Sequence, residues 1–159
     1  MRDGIKLRPL ITGGGQEGGL RSGTLSPALC AGMGAAAKLA LERMEQDAEH
    51  VGRLWRRAGE LFAGWTLNGS AEARYKGNLN LRQEGLDVGR LMSDLRQVMI
   101  SAGSACASGS GRPSHVLAAI GLTPQQARGS IRVGFGRYTT MDELECAADL
   151  IIRAAAQQG

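Results

Sequence analysis

This sequence has few aromatic residues and no closely spaced pairs of cysteine or histidine residues. It also lacks long basic runs and long apolar runs. Phe, Trp and Tyr together make up 4% of its 159 residues, and no five basic residues occur in a row. Without basic runs interleaved with aromatic side chains, a nucleic-acid surface is not indicated. Neither an apolar stretch of about 18 residues nor a secretory leader is visible. We therefore expect neither a nucleic acid nor a membrane as partner.

Cysteine and histidine are too few and too scattered for a disulfide framework or a metal centre. The three cysteines, Cys30, Cys106 and Cys146, are an odd number and lie far apart. Such usage favours a reducing compartment, so we expect a cytoplasmic protein. No cysteine or histidine pair has the spacing of a zinc site, and no intrinsic metal is expected.

Glycine is the abundant residue, and it is concentrated in loops. The sequence has 24 glycines, 43% hydrophobic residues and a net charge of +4, which suits one domain with a core, with or without an arm. Residues 101–111 are rich in Gly and Ser and contain Cys106. Free thiols usually prefer burial, so a thiol on such a loop is either a reactive nucleophile or a loop residue without a role.

A second glycine-rich segment, residues 13–24, contains donors for an anion. Its glycines allow backbone amides to approach a ligand closely, and Arg21, Ser22 and Thr24 add side-chain donors. The segment lacks the Gly-Lys-Ser/Thr ending of a Walker A loop and the preceding strand of a dinucleotide fingerprint. Taken alone, it is either an anion site or an irregular surface loop.

The remaining sequence alternates between helical and strand patterns. A helix is predicted from Pro27, with apolar residues at helical spacing along residues 39–62. Met33 and Met44 are expected to pack, and Cys146 to be buried inside the last helix. Further helices are predicted near residues 87–97, with Asp87 as cap, near 113–121 and 123–128, and near 141–155, where Thr140 and Glu143 have the spacing of a capping box. Strands are predicted near residues 64–68, 78–82, 98–101 and 130–137. Polar and apolar residues alternate along 78–82 and 130–137, which places Arg132 on the face opposite Ile131 and Val133. The predicted fold class is α+β, with helices on a small, largely antiparallel sheet in two layers.

Four motifs in fixed order carry a specific resemblance. They are Gly-Gly-Gln-Glu…Leu-Arg-Ser-Gly-Thr at 14–24, Ser-Ala-Gly-Ser-Ala-Cys at 101–106, Pro-Ser-His-Val-Leu at 113–117 and Ser-Ile-Arg-Val-Gly-Phe-Gly-Arg-Tyr-Thr-Thr at 130–140. Together they resemble the cysteine desulfurases, pyridoxal-phosphate enzymes of the class V aminotransferase group, over about residue 13 to the C terminus. The resemblance implies that residues 25–159 form the small C-terminal domain of a fold-type I enzyme. Residues 1–24 would be an arm and a glycine-rich cofactor-phosphate segment of a truncated large domain.

The resemblance also assigns roles to particular residues. Cys106 would attack the sulfur of L-cysteine, leaving L-alanine and a persulfide for an iron–sulfur scaffold or another acceptor. Through that persulfide it would contact an iron–sulfur cluster only transiently. Arg132 would hold the substrate carboxylate. Thr24 would bind the phosphate of pyridoxal 5'-phosphate in the site of a homodimer partner, with Arg21 supporting the same region. His115 would shape the base of the cysteine loop without a catalytic role.

The lysine that binds the cofactor is missing from its expected context. In the family it follows a histidine upstream of the glycine-rich motif, and Lys6, Lys38 and Lys76 have no such neighbour. Gly134 also stands where the family's strand commonly has serine. Three interpretations remain open. The chain is part of a desulfurase that is inactive without a lysine-bearing large domain, a stand-alone persulfide carrier or binding module, or an inactive remnant with a packing role.

Overall fold

The computed structural model describes residues 4–102 and 114–158, and the chain forms two compact units. The first unit ends at Met44 and the second begins at Glu45, so the division falls inside the first helix. Cys106 and the rest of residues 103–113 lie outside the described residues. The expected boundary between residues 24 and 25 stays a prediction.

Five α-helices occur in the described ranges, and capping residues mark where several begin. They are α1 (Pro27–Leu61), α2 (Val88–Asp94), α3 (His115–Ala119), α4 (Pro124–Arg128) and α5 (Met141–Ala156). Pro27 is the first residue of α1, as predicted. Proline has no amide hydrogen, and at the first position of a helix an amide hydrogen would have no partner within the helix. Asp87 accepts from the amide of Arg90 at 3.0 Å and caps α2. Thr140 and Glu143 form a reciprocal capping box at the start of α5. No helix in these ranges is both long enough and apolar enough to cross a membrane.

Four short strands of the second unit form one antiparallel sheet. They are β1 (Thr66–Leu67), β2 (Asn78–Arg82), β3 (Ser101–Ala102) and β4 (Ser130–Gly134), in the order β1-β2-β4-β3. Every neighbouring pair is antiparallel. The predicted α+β class is confirmed. Except for β2, the paired segments are shorter than the predicted strands, because β-prone residues at their ends find no partner strand.

One face of the sheet carries the hydrophobic core of the second unit. Leu79 and Leu81 of β2 lie beside Ile131 and Val133 of β4 in the ladder, and all four are buried. The second half of α1 packs on them together with α2 and α5. Burying a Leu or Ile side chain contributes about 1.5–3 kcal/mol, so this layer dominates the stability of the unit. The opposite face of the sheet is polar.

The expectation that Met33 and Met44 pack is wrong for the described structure. Met33 is 72% exposed and Met44 is 60% exposed. The buried hydrophobic core begins only at Val51, in the second half of α1. The apolar spacing continues through the first half of the helix, but spacing alone does not supply an element to pack against.

Cys146 is exposed, which corrects the prediction of a buried thiol. Helix α5 buries a single stripe that includes Leu144, Ala148 and Ile151. These positions recur at intervals of three and four residues, as one face of a helix requires. Cys146 follows Leu144 by two residues and therefore lies on the other side of the helix.

Candidate functional site

The glycine-rich segment forms a loop that closes on itself in the first unit. The amide of Ser22 donates to the carbonyl of Ile11 at 3.0 Å. The buried hydroxyl of the same serine donates to the carbonyl of Gly14 at 2.5 Å. Between these anchors, Glu17 and the two glycines after it have φ angles of 54°, 64° and 81°. Glycine adopts such left-handed angles without a steric penalty, which explains two glycines at the turn.

Arg21 and Thr24, two of the predicted anion donors, line one hollow of about 670 Å³ beside the start of α1. Ser26 adds a hydroxyl there, and apolar side chains of α1 form another part of the wall. The Arg21 guanidinium is steadied by donating to the carbonyl of Gly23 at 2.9 Å. Ser22, the third predicted donor, is committed to holding the loop closed. The residues that line the hollow therefore include one cationic and two hydroxyl-bearing side chains, which are donor types that suit an anionic group.

Arg132 lies on the polar face of the sheet in the second unit. It is exposed between buried Ile131 and Val133, as the alternation predicted. In the ladder its direct neighbours are Asn80 of β2 and Ser101 of β3. Directly opposed residues share a face and have Cβ atoms about 4.5–5.5 Å apart. An anion that pairs with Arg132 therefore meets further polar side chains on both sides.

The polar face carries positive charge that no carboxylate among the described residues neutralises. Arg132 has no ion-pair partner there, and Arg82 donates instead to the neutral Oδ1 of Asn68 at 2.5 Å. The cross-element ion pairs of this part of the chain join other residues, such as Arg57 to Glu145 at 2.6 Å. Hydrogen bonds to Glu60 and Glu145 raise the pKa of Arg57. The unpaired charge on the sheet attracts anions.

A hydrogen-bond network that no motif in the sequence indicates fixes the side chain of Asn80. The Nδ2 of Asn68 donates to Asn80 Oδ1 at 2.6 Å and to Ser130 Oγ at 3.0 Å. Ser130 in turn donates to the carbonyl of Gln126 at 2.7 Å. The alternation in β2 predicted a polar face, but it carried no sign that Asn68, beyond the end of β1, would reach over it.

The other predicted residues are not brought together in the described part of the chain. Cys106, the predicted nucleophile, lies outside it. His115 is the exposed first residue of α3, where Ser114 caps the helix by accepting from the amide of Leu117. The hollow and Arg132 belong to different units. Within the same ranges, no three His, Cys, Asp or Glu side chains are grouped as metal ligands.

Comparison with known proteins places the chain in a family. The family model described as aminotransferase class-V matches residues 5–146. The chain belongs to this family. Cysteine desulfurase IscS of Rickettsia typhi is 43% identical over 155 residues, which cover 92% of this chain and 37% of the relative. The mitochondrial cysteine desulfurase of Arabidopsis thaliana is 43% identical over 156 residues, which cover 96% of this chain and 34% of that relative. The chain thus spans little more than a third of the length of these curated relatives.

Three solved structures have a similar fold. A NifS-like protein superposes with a TM-score of 0.81 at 27% identity, over 99% of this chain and 41% of that protein. DndA from Streptomyces lividans has a TM-score of 0.63 at 31% identity, over 81% of this chain and 37% of that protein. SspA in complex with cysteine also has a TM-score of 0.63 at 31% identity, over 86% of this chain and 38% of that protein.

Pyridoxal phosphate, which class-V enzymes use, fits the described residues at its phosphate end. Thr24, Ser26 and Arg21 are among the residues that line the hollow, and their side chains carry two hydroxyls and a guanidinium, the kinds of donor that a phosphate requires. None of the three lysines lines it, and Lys38 pairs with Glu42 at 3.8 Å. The donor set of the hollow suits the phosphate and includes no amine for a covalent bond to the cofactor.

Proposed function

We propose that this chain is part of a cysteine desulfurase, a pyridoxal-phosphate enzyme that removes sulfur from L-cysteine. The observation that carries the proposal is Arg132 on the polar sheet face, flanked by neutral polar side chains and without a carboxylate partner in the described residues. A guanidinium in this setting suits the carboxylate of an amino acid, which it can bind through two parallel hydrogen bonds. The curated relatives named cysteine desulfurase, and the neighbour SspA in complex with cysteine, support cysteine as that amino acid.

Cys106 is the nucleophile in this proposal. Its thiolate attacks the sulfur of bound L-cysteine, so that a sulfur–sulfur bond forms while the bond between that sulfur and Cβ breaks. The electron pair of the broken bond passes to the carbon, which takes up a proton. L-alanine leaves, and a persulfide remains on Cys106. Pyridoxal phosphate, when bound, supplies the electron sink for this chemistry.

The remaining assignments concern assembly and delivery. Thr24 and Arg21 hold the cofactor phosphate, with Thr24 serving the site of the partner subunit in a homodimer. Residues 1–24 belong with the lysine-bearing large domain, and residues 25–159 form the small domain. The persulfide passes to a sulfur acceptor such as an iron–sulfur scaffold protein. The free, exposed thiols of Cys30 and Cys146 support a reducing compartment, the cytoplasm.

A stand-alone persulfide carrier is the less favoured function. A carrier needs a reactive thiol and a docking partner, but it has no use for an amino-acid carboxylate site or a phosphate-binding hollow. The chain has the donors for both, at Arg132 and at Arg21 with Thr24. An inactive remnant would require neither of them.

The proposal is tested by measuring L-alanine formed from L-cysteine. The 159-residue chain is assayed alone and after co-expression with a lysine-bearing large domain from a desulfurase relative. We expect no alanine from the chain alone and alanine from the assembled enzyme. Arg132→Ala should lower kcat/KM by about 10- to 100-fold, the range for one hydrogen-bonded charge. Arg153→Ala, which removes an exposed arginine on α5, is the matched control. Alanine from the chain alone, or full activity of Arg132→Ala, would contradict the proposal.

A further inference from the structure

The side-chain amide of Asn80 has a fixed direction. Its Oδ1 accepts from Asn68 Nδ2 at 2.6 Å, and its own Nδ2 has no hydrogen-bond partner in the part of the chain that the structure describes. Asn80 lies directly opposite Arg132 in the ladder. A neutral donor without a partner in the described residues therefore belongs to the residue directly opposite Arg132, on the same face of the sheet.

The direction of this amide follows from a chain of donors that begins at Arg82. A guanidinium can only donate, so the atom of Asn68 that faces Arg82 Nη1 must be the oxygen. The nitrogen of Asn68 is then the end that meets Asn80 and Ser130. If the amide of Asn80 were reversed, two NH₂ groups would face each other and lose a hydrogen bond next to a buried group. The Nδ2 of Asn80 is thereby kept on the side away from Asn68.

We propose that Asn80 is a second ligand of the substrate carboxylate, donating from Nδ2 while Arg132 donates from its guanidinium, and that Asn68 is the residue that positions it. This inference rests on the proposed function, in which Arg132 binds an amino-acid carboxylate. A carboxylate has two oxygens with about four acceptor sites, so it accepts from both side chains at once. The neutral amide adds a hydrogen bond without adding charge, which matches a singly charged carboxylate.

Substitution of Asn80 by Asp in the assembled enzyme tests the proposal. The two side chains have nearly the same shape, and an Asp oxygen still accepts from Asn68. The donor, however, is replaced by a negatively charged oxygen beside Arg132. We expect the KM for L-cysteine and the Kd for L-alanine to rise at least tenfold, with kcat changed less than threefold. Asn80→Ser, which also lacks the amide donor, should raise both constants by a smaller factor and without a new charge.

Asn78→Asp is the matched control for Asn80→Asp. It places the same charge on the same strand and the same face, two residues away and opposite Gly134. We expect its KM and Kd to stay within twofold of the unsubstituted enzyme. If Asn80 had a purely structural role, Asn80→Asp would lower the melting temperature. It would not raise KM selectively while kcat stayed nearly constant.

The outcomes separate this inference from the function on which it rests. If Arg132→Lys raises KM tenfold while both Asn80 variants behave like Asn78→Asp, the Asn80 inference is wrong and the carboxylate site stands. If Arg132→Lys and both Asn80 variants all leave KM and Kd unchanged, the proposed carboxylate site itself is wrong. If Asn68→Ala also raises KM while kcat is retained, the positioning role of Asn68 is supported, and an unchanged KM in that variant would refute it.

Discussion

Asn68 and Ser130, 62 positions apart in the sequence, are joined by a hydrogen bond of 3.0 Å on the polar side of the sheet. Asn68 is 2% exposed and Ser130 is fully buried. Asn68 also donates to Asn80 and accepts from Arg82, so a single side chain connects the end of β1 to β2 and β4. Neutral hydrogen bonds in such a buried position are strengthened by the absence of competing water.

Replacing Asn68 by Ala removes the centre of this network. We expect the free energy of unfolding to fall by about 2–3 kcal/mol, because three hydrogen bonds are lost and their partners are left partly unsatisfied. Urea denaturation of the 159-residue chain measures the change. Asn78→Ala is the control, since the buried Oδ1 of Asn78 has no hydrogen-bond partner in the described residues. A loss from Asn68→Ala no larger than that from the control would show that the network does not stabilise the fold.

The capping box of α5 makes stability depend on pH through Glu143. The Glu143 carboxylate accepts from the amide of Thr140 at 2.8 Å and from its hydroxyl at 3.1 Å. These hydrogen bonds, the one from the amide most of all, hold the pKa of Glu143 below its usual value of about 4.3. A pKa that is lower in the folded state stabilises the fold above the unfolded-state pKa, and this contribution disappears as the pH falls through the folded-state pKa.

Glu143→Gln keeps an acceptor for Thr140 but removes the charge. We expect the unsubstituted chain to be more stable than this variant at pH 7 and the difference to shrink as the pH is lowered below about 4.3. Urea denaturation of both proteins at intervals between pH 7 and pH 3 measures it. A difference that stays constant over this range would mean that the ionised carboxylate does not contribute.

The hollow beside α1 predicts a specific loss of cofactor affinity. Thr24→Val keeps the shape of the side chain and removes its hydroxyl. We expect the Kd of the assembled enzyme for pyridoxal phosphate to rise about 10- to 150-fold, since one hydrogen bond to a charged group contributes about 1.5–3 kcal/mol. Absorbance titration with the cofactor measures the Kd. Thr12→Val, the same change at an exposed threonine that does not line the hollow, should have no effect. Equal affinities of the two variants would remove Thr24 from the site.

The fold was predictable because its local signals agree with its packing. The alternation in β2 and β4 indicated which residues face the core, and the capping residues Asp87 and Thr140 marked the starts of their helices. Cys146 was placed wrongly because the segment around it is apolar, while the buried stripe of α5 is only one face wide. Met33 was placed wrongly because helical spacing does not reveal whether a partner element is present.

The candidate site was predictable only in part. The motifs indicated Arg132, Thr24 and Arg21 as single residues, and the structure places the last two at one hollow. The neighbour of Arg132 was not predictable, because Asn80 comes from a strand about fifty residues earlier and only the strand register brings the two together. The orientation of the Asn80 amide depends in turn on Asn68 and Arg82, which no motif connects.

In the proposed enzyme, Cys106 receives sulfur from L-cysteine, and a lysine-bearing domain completes the site. Peptide mass spectrometry of the assembled enzyme, after a single turnover with L-cysteine and alkylation, tests this transfer most directly. We predict a mass increase of one sulfur atom on the peptide containing Cys106 and on neither of the peptides containing Cys30 and Cys146, and no increase in Cys106→Ser. A persulfide on Cys30 or Cys146, with Cys106 unmodified, would show that Cys106 is not the sulfur acceptor.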